Sequence, residues 1–282
     1  MNHFACPGFN ATRFSRRHLL KVGGLGMLGI ACLMWIPGLT ALGMKAAWRG
    51  GLPAIGWKPA RVRWWLTAYL LPPAVALVAY GAAWLTGLAP LEVPWERIAQ
   101  KLVPGVTGLM LVVLLAGVFH FLTGCVFALG EEIGWRGLMV PLLVEAEIPQ
   151  PLVVSGIIWG LWHLPLVIFG DYATSSVPLV SAGLFLLATM ADGVTYGWMR
   201  LASRSLWPAV VLHASHNAYF QQLFDKLTGE SAASKFIAGE SGLFPVLVYG
   251  AVAVWIIRTG RAQRVIASSG PANAWNEVQV SA

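Results

Sequence analysis

The sequence predicts an all-α protein, a polytopic transmembrane helical bundle of about seven to eight membrane helices. Three observations predict it. Hydrophobic residues make up 57% of the 282 and charged residues only 11%, with a mean hydropathy of +0.68, whereas soluble domains carry about 25% charged residues. Apolar runs of around 20 residues, the length that crosses a hydrocarbon core about 30 Å thick, recur along the whole chain. Several of the 14 tryptophans (Trp48, Trp57, Trp64, Trp65, Trp207) stand near the ends of those runs, where membrane proteins place aromatic belts. A soluble chain this apolar would have to bury nearly every side chain, and 282 residues do not enclose that volume.

Taken in order, the apolar segments fall at about 19–45, 64–87, 104–129, 133–147, 151–170, 177–200, 205–224 and 242–259. The first follows Ser15-Arg16-Arg17-His18-Leu19-Leu20-Lys21, which resembles a twin-arginine export signal. The apolar run continues to about Met44 without a clear A-x-A site, too long for a signal core, so it is read as a retained helix. Segment 133–147 is too short to cross alone; it reads as a half-helix or a continuation of the preceding span. Pro37, Pro72, Pro73, Pro151, Pro165 and Pro208 start or kink helices. The expected organisation is a basic cytoplasmic flank (1–18), one membrane domain (19–259, with its polar motifs in 130–220) and a polar tail (260–282).

Net charge is +7, but the basic residues cluster in flanks and short loops: Arg13, Arg16, Arg17 and Lys21 before the first span, Arg258, Arg261 and Arg264 after the last. That pattern addresses anionic headgroups and topology. Lys45, Arg49, Lys58, Arg61 and Arg63 in the first loop pull the orientation the other way. No basic segment is interleaved with aromatics on a soluble module, so the bilayer is an expected partner and nucleic acid is not. Cys6, Cys32 and Cys125 are odd in number and scattered, which supports neither a disulfide framework nor a C-x-x-C metal site.

An ionisable residue inside an apolar segment costs roughly 2.5–3.5 kcal/mol at the centre of a membrane helix and is by default a functional candidate. Three clusters qualify. In Gly130-Glu131-Glu132-Ile133-Gly134-Trp135-Arg136-Gly137, Glu132 and Arg136 stand at i and i+4 and can pair, which turns Glu131 toward something else. An acid at a helix start is also a plain cap. His163 lies within Ile157-Ile158-Trp159-Gly160-Leu161-Trp162-His163-Leu164-Pro165. His213 and Asn217 share a helix face in His213-Ala214-Ser215-His216-Asn217, with His216 close to it. Helix–helix hydrogen bonding is the plainer role for either histidine segment. His120 reads as a packing or gating residue, and Asp192 as a cavity-lining one.

There is no H-E-x-x-H, no G-x-S-x-G and no cysteine beside a candidate histidine, so water is the expected nucleophile. Glu131 with His163 would deprotonate and orient it, and His213 with the Asn217 amide would meet the developing oxyanion. The alternative is a divalent metal, such as zinc, held by Glu131, His163 and His213. The same residues serve either scheme. With an activated water, Glu131 and His163 should lie roughly 5–6 Å apart.

Glu131-Glu132-x-x-x-Arg136, then His163 with an aromatic four residues earlier, then His213-x-x-x-Asn217, is similar in order and spacing to the three motifs of the CAAX-protease and bacteriocin-processing family, which includes the type II prenyl-protein endopeptidases. The likeness runs from about residue 30 to 225. It departs at Trp159, where the family usually has Phe. The resemblance implies an intramembrane protease, Glu131 as water-activating base with His163, an oxyanion site from His213 and Asn217, and Glu132 with Arg136 as a supporting pair. It implies a peptide or protein substrate at the membrane, prenylated or not, and the family is commonly labelled metalloprotease. Two other functions use the same polar cluster: a non-catalytic, bacteriocin-immunity-type or peptide-binding membrane protein, and a proton-coupled transporter. The twin-arginine-like head points to a prokaryotic plasma membrane.

Overall fold

In lipid, every backbone N–H and C=O must find its partner within the segment, which a helix achieves. The chain obeys this almost throughout. The computed structural model describes residues 16–48, 52–169 and 177–270, with side chains from residue 32 onward except that of Ala232. Residues 1–15, the side chains of Arg16, Arg17 and Lys21, and the tail from 271 lie outside the described residues, and with them most of the expected basic head.

Helix α1 (Arg16–Ala47) contains Pro37, and α2 (Val62–Leu85) contains Pro72 and Pro73. A short α3 (Trp95–Lys101) leads into one continuous helical run of 41 residues, Gly105–Glu145. That run comprises α4 (Gly105–Leu114), a π-helical turn (Leu115–His120), α5 (Phe121–Glu132), a second π-helical turn (Ile133–Met139) and α6 (Val140–Glu145). Then come α7 (Pro151–Phe169), α8 (Pro178–Ser203) and α9 (Trp207–Tyr219). A third π-helical turn (Phe220–Phe224) and a 3₁₀ turn (Asp225–Leu227) follow α9. The chain ends in α10 (Ala232–Ile237), α11 (Leu243–Arg258) and α12 (Arg261–Ser269), the last two meeting at a 62° bend.

The expected seven to eight membrane helices are not found. Among the described residues four helices are long and apolar enough to cross: Val62–Leu85, Gly105–Glu145, Pro151–Phe169 and Pro178–Ser203. A fifth is reached only if the bent pair α11 and α12 counts as one span. The segments expected at 104–129 and 133–147 are one rod, because the π-helical turn at Ile133–Met139 absorbs the polar motif without ending the helix. The segment expected at 205–224 holds a regular helix of only 13 residues, almost all of it buried in protein. Its apolarity answers a core, not lipid. Of α1, the described side chains cover Cys32–Ala47, a shorter apolar helix.

Helix α8 is the centre of the bundle: 61% of its most apolar window is buried, against 11% for the Gly105–Glu145 run, whose first half therefore faces lipid. Helix α8 packs against α7, α9, α11 and α12, while α5 lies between α1 and α9, and α2 between α9 and α11. The acid-bearing end of α5 is thereby enclosed by α1, α7, α8 and α9.

Candidate active site

The polar residues of α5, α7 and α9 meet in that enclosure. Glu131, Glu132 and Arg136 are 1%, 0% and 0% exposed, so each must be answered inside the protein. Arg136 Nη1 donates to Glu132 Oε1 at 3.0 Å, the pairing that the i, i+4 spacing predicts. The guanidinium also lies 4.2 Å from the ring centroid of Trp159 and 4.9 Å from that of Tyr196, so its planar faces rest on aromatic quadrupoles. Among the described residues its Nε and Nη2 have no hydrogen-bond partner, and neither has Glu132 Oε2.

Glu132 does more than pair with Arg136. Its Oε1 also accepts a hydrogen bond from His213 Nδ1–H at 2.8 Å, which fixes the imidazole and leaves Nε2 as its free edge. Spacing within α9 links His213 to Asn217 and gives no hint of Glu132, which is distant in sequence.

Glu131 faces the other way. Its Oε2 accepts from the indole N–H of Trp159 at 2.7 Å and from that of Trp135 at 3.1 Å. Its Oε1 lies 3.7 Å from His163 Nε2, beyond a direct hydrogen bond and closer than the expected 5–6 Å. His163 Nδ1 is 3.0 Å from the Trp159 carbonyl. A carbonyl only accepts, so Nδ1 carries a proton, and the neutral form of the ring turns an Nε2 lone pair to the cavity. In that form Glu131 Oε1 and His163 Nε2 are two acceptors side by side, to which one water can donate an O–H each.

Trp159 touches Glu131, Arg136, His163 and His213. Besides its bonds to Glu131 and His163, its ring stands edge-on to His163 (centroids 5.9 Å) and to His213 (5.6 Å). Its aromatic bulk is legible in the sequence; its role as donor to a residue 28 positions away is not.

These groups line a cavity of about 430 Å³, along with Asn217, Asp192, His216 and Glu240, and with Leu33 and Met34 of α1. Sequence reasoning misses Glu240, which lies between α10 and α11. Its Oε1 is 3.3 Å from His216 Nε2, and Gln221 donates to its Oε2 at 3.0 Å. His216 Nδ1 bonds the Tyr249 hydroxyl at 3.1 Å. Asp192 lines the cavity with an unpartnered Oδ1. His120 stands apart, in a separate groove.

Glu131, His163 and His213 do not form a metal cage. Among the described residues no three His, Cys, Asp or Glu side chains converge to hold an ion. His213 is tied through Nδ1 to Glu132, and His163 through Nδ1 to a backbone carbonyl, which leaves the Nε2 edge of each ring for the cavity.

Residues 113–219 match the family described as Rce1-like, type II CAAX prenyl endopeptidase. The matched stretch is narrower than the expected 30 to 225, yet it contains Glu131, Glu132, Arg136, His163, His213 and Asn217. Over 88 residues the chain is 30% identical to a protein of Methanococcus maripaludis named CAAX prenyl protease 2. That match covers 29% of this chain and 32% of the relative, so the chain spans about a third of the relative's length.

Proposed function

From the premise that its central membrane segment is homologous to the Rce1-like CAAX proteases, we propose that this integral membrane protein is an intramembrane endopeptidase that hydrolyses a peptide bond with a water activated by Glu131 and His163. The observation that carries the reading is the approach of Glu131 Oε1 to His163 Nε2, 3.7 Å apart on the wall of one cavity.

The water gives a proton to Glu131 as its oxygen attacks the carbonyl carbon of the scissile bond. The carbonyl oxygen becomes an oxyanion, met by the Asn217 amide and by His213 Nε2–H when that ring carries both protons, with Glu132 balancing its charge. The C–N bond breaks as the proton passes from Glu131 to the leaving nitrogen, which yields a carboxylic acid and an amine, and the acid then gives its proton to the amine or to solvent. Trp159 and Trp135 hold Glu131 from the side away from the water, so the base meets its nucleophile in one orientation. The substrate is a peptide or protein segment presented at the bilayer.

Glu131→Gln keeps the shape of the side chain and removes the base. Cleavage of a membrane-anchored peptide reporter by the purified, reconstituted protein should fall by about 10²–10⁴-fold, with the thermal unfolding profile kept. Cleavage at the wild-type rate would remove Glu131 from the mechanism and favour the non-catalytic, peptide-binding reading.

A further inference from the structure

Away from the cavity, Arg97 and Lys101 of α3 and Lys226 of the 3₁₀ turn line a groove of about 280 Å³, floored by Ile98, Val112 and Leu115. Among the described residues none of the three cations forms an ion pair; Lys226 donates only to the Gln222 amide oxygen. The acids nearby answer them only in part. Glu96 lines a neighbouring surface hollow that Arg97 also borders, without an ion pair between the two among the described residues. Asp225 accepts from the Tyr80 hydroxyl, and burial pushes its carboxyl up to about 7. Partial burial lowers the Lys226 ammonium from its ordinary value, the neighbouring charges of Lys101 and Arg97 lower it further, and Asp225 opposes them in part.

The backbone builds this gathering of like charge. An isolated bridge joins Leu91 to Thr228, Glu92 N–H donates to the Leu227 carbonyl at 2.8 Å, and Gly229 N–H donates to the Pro90 carbonyl at 3.0 Å. The indole of Trp84 donates to Thr228 Oγ1 at 3.0 Å. The 3₁₀ turn is thus tied to the loop that leads into α3, and Lys226 is held where Arg97 and Lys101 repel it. Such an arrangement persists when an anion from outside offsets the repulsion.

We propose that this groove binds an anionic phospholipid, with its headgroup phosphate on Arg97, Lys101 and Lys226 and an acyl chain along Ile98, Val112 and Leu115. The apolar floor and the exposed apolar face beside it (Val106, Met110, Val113, Leu114) select a lipid over a soluble anion. The site is separate from Glu131 and His163, and its test does not depend on cleavage.

The full chain is reconstituted into phosphatidylcholine nanodiscs with and without phosphatidylglycerol, and retained lipids are counted by native mass spectrometry. Wild-type protein should keep phosphatidylglycerol in preference to phosphatidylcholine. Arg97→Gln, Lys101→Gln and Lys226→Gln should each weaken that preference about fivefold, and Lys101→Arg should keep it. All three cations are exposed, so the variants should unfold at the wild-type temperature. Two results would overturn the proposal: a triple variant that retains phosphatidylglycerol as well as wild type, or inorganic phosphate at millimolar concentration displacing the lipid and occupying the groove alone.

Discussion

Trp159 joins the halves of the polar site. One face covers the Arg136 guanidinium at 4.2 Å, its N–H holds Glu131 at 2.7 Å, and its carbonyl holds His163 at 3.0 Å. Trp159→Phe keeps an aromatic face and the carbonyl and deletes the N–H together with the second ring. A hydrogen bond to a charged group contributes about 1.5–3 kcal/mol, so kcat/KM on a peptide reporter should fall about ten- to hundredfold, with a lower unfolding temperature from the lost ring volume. An unchanged kcat/KM would reduce Trp159 to a wall. At this scale the sequence is legible where contacts are local. The i, i+4 spacing finds Glu132 with Arg136 and turns Glu131 away from them. It cannot find Glu132 with His213, 81 residues apart, nor Glu131 with the indole of Trp159, 28 apart, because those bonds exist only after the helices have met.

The element that brings them together is the α5 end of the long rod, and its packing rests on two glycines that bracket the acids. A Cβ at Gly130 would stand 2.8 Å from the Met34 carbonyl oxygen, and one at Gly134 would stand 2.5 Å from Pro37 Cβ. Their absence lets α1 approach backbone to backbone, the small-x-x-x-small contact that membrane helices use in place of a hydrophobic drive. Gly134→Leu should push α1 away, lower the unfolding temperature in detergent and reduce cleavage, since Leu33 and Met34 of α1 line the cavity. Gly81→Ala, where nothing lies within 4 Å of the added carbon, should leave both unchanged and serves as control. The Gly130-x-x-x-Gly134 spacing is visible in the sequence, but it sits inside the Glu-Glu motif, where polarity draws attention first. Element boundaries were less legible for a related reason: π-helical turns carry polar and glycine-rich stretches through a helix that local pattern would break.

For the whole molecule, hydropathy separates water from everything else and cannot separate lipid from protein interior. The segment expected to cross at 205–224 holds only the 13-residue α9, surrounded by neighbours, and the two expected at 104–129 and 133–147 are one rod, which is why counting apolar segments gives too many crossings. The all-α membrane architecture follows from composition; the crossing number needs tertiary packing. Global stability should also carry a pH signature from Asp225, outside the spans. Burial raises its carboxyl to about 7 from 3.8, with the Tyr80 hydroxyl partly opposing the rise. A raised carboxyl stabilises the fold fully below its unfolded value near 4, and the contribution is lost as pH climbs through about 7. The unfolding temperature should therefore drop by about 5 °C between pH 5.5 and 8.5, and Asp225→Asn should flatten that slope.

The π-helical turn after α9 gives two consecutive side chains opposite outlooks. Gln221 reaches Glu240 on the chamber side, while Gln222 takes the ammonium of Lys226 on the outer, cationic side. The partition between the two compartments is thus a single strand of backbone, four residues downstream of Asn217. Whatever settles on one side of that partition bears on the same peptide units that hold the other side in place.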